Sequence, residues 1–280
     1  MSDSNQFKLA GVMGMPVFQS RSPILHNYWI KKYNLKGAYR HFPVQIENVE
    51  AAVRGLSALG IAGCNITQPH KLMAMKLMDQ LSPMAQRIGA INCIVVQPDG
   101  SLHGFNNDGF GYIQSLKDAK PTWRADDGPI VVLGSGGAAR AVVISLLDEG
   151  AKEIRLINRT RTKADELASV DPSVVKTYEW ANRHAALEGA AMLVNTTNQG
   201  MYGQPPLEIS LDALPKSAMV SDLIYIPLET PLLAAARERG HVTVNGLGML
   251  LNQAIPAFEA WFGVKPEITD ELRQAILATF

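Results

Sequence analysis

Short apolar, β-branched runs alternate with longer stretches in which apolar residues recur at helical spacing, from Lys8 to the end of the chain. Such alternation predicts α/β layering. Strands are expected at Lys8–Met13, Gly37–Val44 and Ala62–Thr67. A helix should run from Pro23 to about Asn34 with Ser22 as its N-cap, since Pro suits a first helical turn and Ser accepts from free N–H groups. A second helix is expected over Glu47–Leu59, where Val49, Val53, Leu56 and Leu59 share a face. After Pro69 a Met-rich helix should reach Leu81, followed by another opened by Ser82-Pro83. The runs Ala90–Val96 and Ser101–Phe105 flank Pro98-Asp99-Gly100, the signature of a hairpin turn.

The polar stretch Ala119–Gly128 marks the clearest change of segment. Beyond it, strand Pro129–Leu133, a glycine-rich turn, a helix to Asp148 and strand Glu153–Ile157 make a βαβ unit. Further strands are expected at Val174–Tyr178, Met192–Asn195, Met219–Asp222 and His241–Val244, and two helices over Gly248–Phe280.

Composition narrows the function classes. With 280 residues, 47% of them hydrophobic and 19% charged, the chain can bury a proper core and fill two ordinary domains. Its 26 Lys and Arg balance 26 Asp and Glu, so the extended basic surface selected by nucleic acid is not expected. No run is long enough to span a bilayer, and Met1–Gln6 is short and polar, unlike a signal peptide. The expected location is cytoplasmic, with no membrane partner. Cys64 and Cys93 sit in apolar runs without disulfide or metal spacing, as buried thiols of a reducing compartment do. The six histidines are scattered, and no metal site is expected.

Gly134-Ser135-Gly136-Gly137-Ala138-Ala139 matches G-x-G-x-x-A, directly after an apolar strand and directly before a helix. Glycines there permit a tight turn and close backbone approach to a pyrophosphate on the helix N-terminus. At the end of the next strand, an NAD enzyme carries an acidic residue for the ribose hydroxyls. This chain has Asn158-Arg159-Thr160-Arg161 with Lys163 close behind. Those cations are either a solvated helix face or the seat of a 2′-phosphate. Since cations at a helix N-terminus oppose its dipole, an anionic partner is the better account, and the expected cofactor is NADP(H).

Four short stretches in the first half carry candidate chemistry: Ser20-Arg21-Ser22-Pro23, Asn65-Ile66-Thr67-Gln68-Pro69-His70-Lys71, Ala90-Ile91-Asn92 and Asn106-Asn107-Asp108-Gly109. Singly each has a bland explanation, Ser22 and Asp108 as helix caps and Lys71 as a surface lysine. Jointly they gather hydroxyls, amides, one ammonium and one carboxylate near expected strand ends, where open α/β sheets place ligands. Such a set suits a small polyhydroxy acid. Gln253 lies on the apolar side of its expected helix, where its amide bonds either the Asn252 carbonyl, freed by Pro256, or a substrate hydroxyl.

These stretches resemble the S-x-S-P, N-x-T-x-P-x-K, A-x-N and N-x-D-G segments of the shikimate dehydrogenase family. The glycine turn running to Arg140 resembles its G-x-G-G-A-x-R, Asn158-Arg159-Thr160 its N-R-T, and Gly246-Leu247-Gly248-Met249-Leu250 with Gln253 its G-L-G-M-L-x-x-Q. The likeness runs in order from about Gly11 to Gln253. It implies a two-domain α/β fold: an open α/β substrate domain of residues 1–107 and 245–280, with a Rossmann-type NADP domain of residues 108–244 inserted and the C-terminal helices returning to the first domain. It further implies Lys71 and Asp108 as the catalytic pair beside the C3 oxygen. Ser20, Ser22, Thr67, Asn92 and Gln253, with Tyr225 nearby, would bind the carboxylate and ring hydroxyls. Leu223 and Gly246 would line the nicotinamide end, and Gly134 to Ala138 with Asn158, Arg159, Thr160 and Lys163 the rest of the cofactor. The implied partner is a small molecule, shikimate or 3-dehydroshikimate, and a homodimer is compatible with the chain.

The chain departs from the family pattern at Phe105, where an acid is usual, at Cys93 and Asn107, where threonine is usual, and at Asn198, where serine or proline is common. Ser22 in place of a bulkier threonine leans towards shikimate over quinate. The alternatives are a quinate or shikimate-like dehydrogenase and a non-catalytic NADP(H)-binding regulator of the same fold.

Overall fold

The computed structural model describes residues 6–280, so the polar opening Met1–Gln6 lies outside the described residues except for Gln6. The chain divides into two compact units, one of residues up to Asn107 together with Gln253–Phe280, the other Asp108–Asn252.

The N-terminal part of the first unit runs β1 (Lys8–Gly14), α1 (Ser22–Lys32), β2 (Gly37–Pro43), α2 (Val49–Ala58), β3 (Ile61–Ile66), α3 (Lys71–Met75), β4 (Gln80–Leu81), α4 (Pro83–Ile88), β5 (Cys93–Val96) and β6 (Leu102–Phe105). Its mixed sheet has the order β2-β1-β3-β5-β6-β4. β2, β1 and β3 run parallel, so their carboxyl ends share one edge, while β5 and β6 form the expected antiparallel hairpin. Strand alternation sorts the side chains by face. Met13, Cys64, Ile66 and Ile94 join Val49, Val53 and Leu56 of α2 in one buried cluster.

Three local expectations are corrected. Ser22 is the first residue of α1 rather than its cap, because Arg21 already takes helical dihedrals and the Ser22 N–H is met by Ser20 Oγ at 3.3 Å. Leu59 is 75% exposed, because α2 stops at Ala58 and the next residue, at the C-cap, no longer follows the buried face. The Met-rich helix ends at Met75, and Gln80–Leu81 pairs as a strand with β6 instead, an arrangement fixed by Asp79 bonding both to the Leu102 N–H (2.7 Å) and to its carbonyl (2.9 Å). The helix opened by Ser82-Pro83 forms as expected: Ser82 accepts from the Ala85 N–H, and Gly89 ends it with φ 72°.

The second unit runs α5 (Asp108–Ala119), β7 (Ile130–Leu133), α6 (Gly137–Asp148), β8 (Ile154–Ile157), α7 (Arg161–Ala168), β9 (Val175–Tyr178), β10 (Met192–Asn195), β11 (Met219–Asp222), α8 (Pro231–Glu238) and β12 (Val242–Val244). All six strands are parallel, in the order β12-β11-β10-β7-β8-β9. Counted along the chain from β7, that is the 3-2-1-4-5-6 order of a doubly wound dinucleotide-binding sheet, whose strand order reverses between β7 and β10. Its central strands are buried along their whole length, which explains their uninterrupted apolar sequence.

α9 (Gly246–Phe262) carries the chain back, and α10 (Asp270–Leu277) closes it. The return begins at Gln253 rather than at residue 245. The first turns of α9 pack within the second unit: Gly248 lies so close to Ser115 of α5 that a methyl group would collide, and Asn252 donates to Asp118 at 3.0 Å. Beyond that point Phe258 and Trp261 join Trp29, Tyr39 and His26 in a buried aromatic cluster, with the His26 and Tyr39 rings stacked 4.1 Å apart.

Candidate active site

In the first unit, the candidate residues collect at the carboxyl edge of β1, β2 and β3. Ser20 follows β1, and its hydroxyl donates to Ser22 Oγ at 3.2 Å. Thr67 continues β3, and its N–H bonds the Met13 carbonyl at 2.9 Å. Lys71 opens α3 half-buried, and its carbonyl accepts from the Ile91 N–H, next to Asn92. Asn92 precedes β5 rather than lying within it.

Two residues that the sequence reading left without a role tie this set together. Tyr39 on β2 donates its hydroxyl to Asn65 Oδ1 at 2.7 Å, and the Asn65 amide donates to the Asn92 carbonyl at 3.1 Å. The Asn92 side chain then donates to Gln253 Oε1 at 3.3 Å and accepts the Asn107 N–H at 2.9 Å. Gln253 is thus held through its Oε1 by Asn92. Tyr39, Asn65, Asn92 and Gln253 are all buried, and the chain of bonds satisfies amides that would be costly to bury alone. Burial also drives the Tyr39 phenol well above its ordinary value, so it stays a donor. The signal available in the sequence was Asn65 itself, part of the N-x-T-x-P-x-K stretch; nothing marked Tyr39 among other strand aromatics.

In the second unit, Asp108 is buried as the first residue of α5, one peptide after the Asn107 N–H that Asn92 holds. The glycine turn falls between β7 and α6, at the point where the strand order reverses. Gly134 takes φ 107°, a conformation that favours glycine, and bonds the Ile157 carbonyl at 2.8 Å. Ser135 and Ala138 flank exposed Gly136 and Gly137, above which a Cβ would meet nothing within 4 Å. α6 has no side-chain cap and no acid in its first turn. An uncapped helix start beside two exposed glycines fits a pyrophosphate.

Past β8, the two arginines differ. Arg161 is bound to Asp165 at 2.8 Å and to Glu179 at 2.7 Å. Arg159 is exposed and, among the described residues, makes no ion pair or hydrogen bond through its side chain. Asn158 donates to the Thr160 carbonyl at 2.9 Å, setting the bend that presents Arg159, and Lys163 lies exposed on α7. A free guanidinium with no carboxylate beside it is the donor set a 2′-phosphate requires.

Leu223 and Gly246 also come together. The Gly246 N–H bonds the Ile224 carbonyl at 2.9 Å, and its α-carbon approaches the Leu223 carbonyl so closely that any side chain would clash. Tyr225 is half-buried in the same segment. Sequence reasoning missed the polar cluster beneath it, formed by Asn195, Asp222 and Thr230. Among the described residues, no group of three or more His, Cys, Asp or Glu is placed to hold a metal.

The second unit is a dinucleotide-binding domain in topology and in its glycine turn, and the first presents a compact set of hydroxyl and amide donors. Three family descriptions match: a shikimate dehydrogenase substrate binding domain over residues 12–94, shikimate / quinate 5-dehydrogenase over 118–202, and a shikimate 5'-dehydrogenase C-terminal domain over 246–277. The chain is 52% identical to the shikimate dehydrogenase (NADP(+)) of Rhodospirillum rubrum, over 96% of this chain and 97% of that one. A Thermus thermophilus shikimate 5-dehydrogenase, crystallised with NADP(H) and shikimate, aligns with a TM-score of 0.87 at 31% identity, covering 98% of this chain and all of that one. A quinate dehydrogenase from Corynebacterium glutamicum in complex with NAD aligns with a TM-score of 0.90 at 27% identity, over 98% of this chain and all of that one. The chain belongs to the shikimate dehydrogenase family.

Proposed function

We propose that this protein is an NADP-dependent shikimate dehydrogenase, interconverting 3-dehydroshikimate and shikimate by reversible hydride transfer. The observation that carries the reading is near-full-length identity of 52% to a relative of that name. The open glycine turn and the unpaired Arg159 support the NADP part of it.

Gly134, Ser135, Gly136, Gly137 and Ala138 would hold the pyrophosphate, Asn158, Arg159, Thr160 and Lys163 the phosphorylated ribose, and Leu223 and Gly246 the nicotinamide end. When bound, NADPH supplies the hydride. Negative charge develops on the C3 oxygen as the ketone is reduced, and a proton held at that atom relieves it. Lys71 and Asp108 are the residues we assign to holding and moving this proton. Ser20, Ser22, Thr67, Asn92 and Gln253, with Tyr225, bind the carboxylate and ring hydroxyls and so fix which hydroxyl reacts.

A second reading, quinate as substrate, is favoured by the fold likeness to the Corynebacterium enzyme. One assay decides between them. Purified protein is given shikimate or quinate with NADP+ or NAD+, and the reduced nicotinamide is followed by absorbance. The highest kcat/KM should fall to shikimate with NADP+; activity with quinate alone, or with neither acid, would overturn the reading. A cytoplasmic location and a homodimer belong to the same proposal, checked by cell fractionation and sedimentation velocity. Among the described residues no helix is long and apolar enough to cross a membrane, and both cysteines are buried free thiols.

A further inference from the structure

Asp222 ends β11 with only 1% of its surface exposed, yet among the described residues it makes no ion pair. Three donors converge on its carboxylate: the Ile224 N–H (3.1 Å) and the Asn195 amide (3.1 Å) on Oδ1, and the Thr230 hydroxyl (2.8 Å) on Oδ2. Each donor comes from a different place. Asn195 ends β10 in register with Asp222, Ile224 is the second residue of the segment that follows β11, and Thr230 ends that segment as the N-cap of α8. The network continues through Asn195, whose Oδ1 accepts the Thr197 N–H at 3.0 Å and its hydroxyl at 2.7 Å. Thr196 between them donates to the Leu133 carbonyl at 2.6 Å, at the foot of the glycine turn.

All three contacts donate and none accepts. The arrangement therefore fits an ionised carboxylate, and protonation would set an O–H against a donor. We propose that Asp222 is a positioning residue for the cofactor site: its carboxylate pins both ends of segment 223–230 to the Asn195–Thr197 turn, and so places Leu223 and Tyr225. This rests on the dinucleotide-binding role assigned to the second unit above.

Burial raises the Asp222 carboxyl to about 6, against the pull of its three donors, so the pin loosens in mildly acidic solution. Other titratable groups nearby are engaged elsewhere. Glu229 and Arg237 pair with each other at the surface, His241 bonds the Ala218 carbonyl at the opposite end of β11, and the buried Tyr112 phenol faces Ser221.

The test reads NADPH affinity by fluorescence titration of the full chain from pH 5 to 8, with no substrate present, alongside thermal melting at each pH. Wild-type protein should lose affinity below about pH 6. Asp222→Asn should bind NADPH about tenfold more weakly at pH 8, the loss of a charge-assisted hydrogen bond, and its affinity should no longer step near pH 6. Thr230→Val should weaken binding similarly, while Thr230→Ser, which keeps the hydroxyl, restores it. If Asp222→Asn does not fold, the Thr230 pair decides. Wild-type affinity in Thr230→Val, or an unchanged step in Asp222→Asn, overturns the proposal. Failure of the wild type to bind NADPH at any pH would instead overturn the cofactor reading itself.

Discussion

Asn92 donates its side-chain amide to Gln253 Oε1 at 3.3 Å, joining residues 161 positions apart in the chain. The direction of that bond is set from the other end, because Asn92 Oδ1 already accepts the Asn107 N–H at 2.9 Å. Gln253 Oε1 is thereby engaged as an acceptor, and the substrate role proposed for this side chain falls to its Nε2 donor. Gln253→Ala should raise the KM for shikimate about tenfold or more while NADPH affinity stays unchanged. Steady-state kinetics with fluorescence titration decides, and an unchanged KM would remove Gln253 from the substrate set.

Lys71 and Asp108 are assigned to proton transfer, so their loss should appear in turnover rather than in cofactor binding. Lys71→Ala and Asp108→Asn should each lower kcat by about 10²–10⁴, the usual contribution of a positioned acid or base. The measurement is kcat at saturating shikimate and NADP+, with NADPH affinity as the folding control. Either variant turning over at the wild-type rate would exclude that residue.

The βαβ core of the second unit was legible because its strands, buried on both faces, give apolar runs with nothing else to explain them; Met192–Asn195 and Met219–Asp222 have the bounds expected from sequence. Element ends were less legible. Ser22 has the composition of a cap, but the cap position falls to Arg21 and the Ser22 N–H is met by the Ser20 hydroxyl, a choice that depends on the Arg21 dihedrals and not on residue type. The glycine turn and the arginine pair announced themselves through local spacing. Asn65 was marked by its N-x-T-x-P-x-K stretch but not by its role, and Tyr39 and Asp222 were not marked at all, since they act through partners set by tertiary placement.

Arg159 and Arg161 are indistinguishable as sequence, and the structure separates them. Arg161 is paired with Asp165 and Glu179, whereas Arg159 has no such partner among the described residues. Arg159→Ala should weaken NADPH by about tenfold or more, with little effect on NADH, because the two cofactors differ by the phosphate that Arg159 would meet. Arg161→Ala should have the smaller effect. Titration of both cofactors against both variants checks this; equal weakening of NADPH and NADH by Arg159→Ala would contradict the phosphate assignment.

His26 sits in the aromatic cluster, fully buried against Tyr39, Trp29, Phe258 and Trp261, and burial lowers its pKa from 6.5 to about 3. Between those values the unfolded chain takes up a proton that the folded chain refuses. Stability due to His26 is thus complete above pH 6.5 and is lost as the pH falls towards 3. At pH 5 the loss is about 2 kcal/mol, from about 1.4 kcal/mol per pH unit. Asp222 acts in the opposite sense, because its raised pKa makes the folded chain bind a proton first as the pH drops through about 6. Wild-type stability alone therefore mixes the two, and the informative quantity is the difference from His26→Phe, which keeps a ring in the cluster and cannot titrate. Urea unfolding at pH 8 and pH 5 should show the variant losing about 2 kcal/mol less than wild type over that interval. Equal losses in the two proteins would mean that the imidazole accepts its proton in the folded state, and that the cluster around it is open to water.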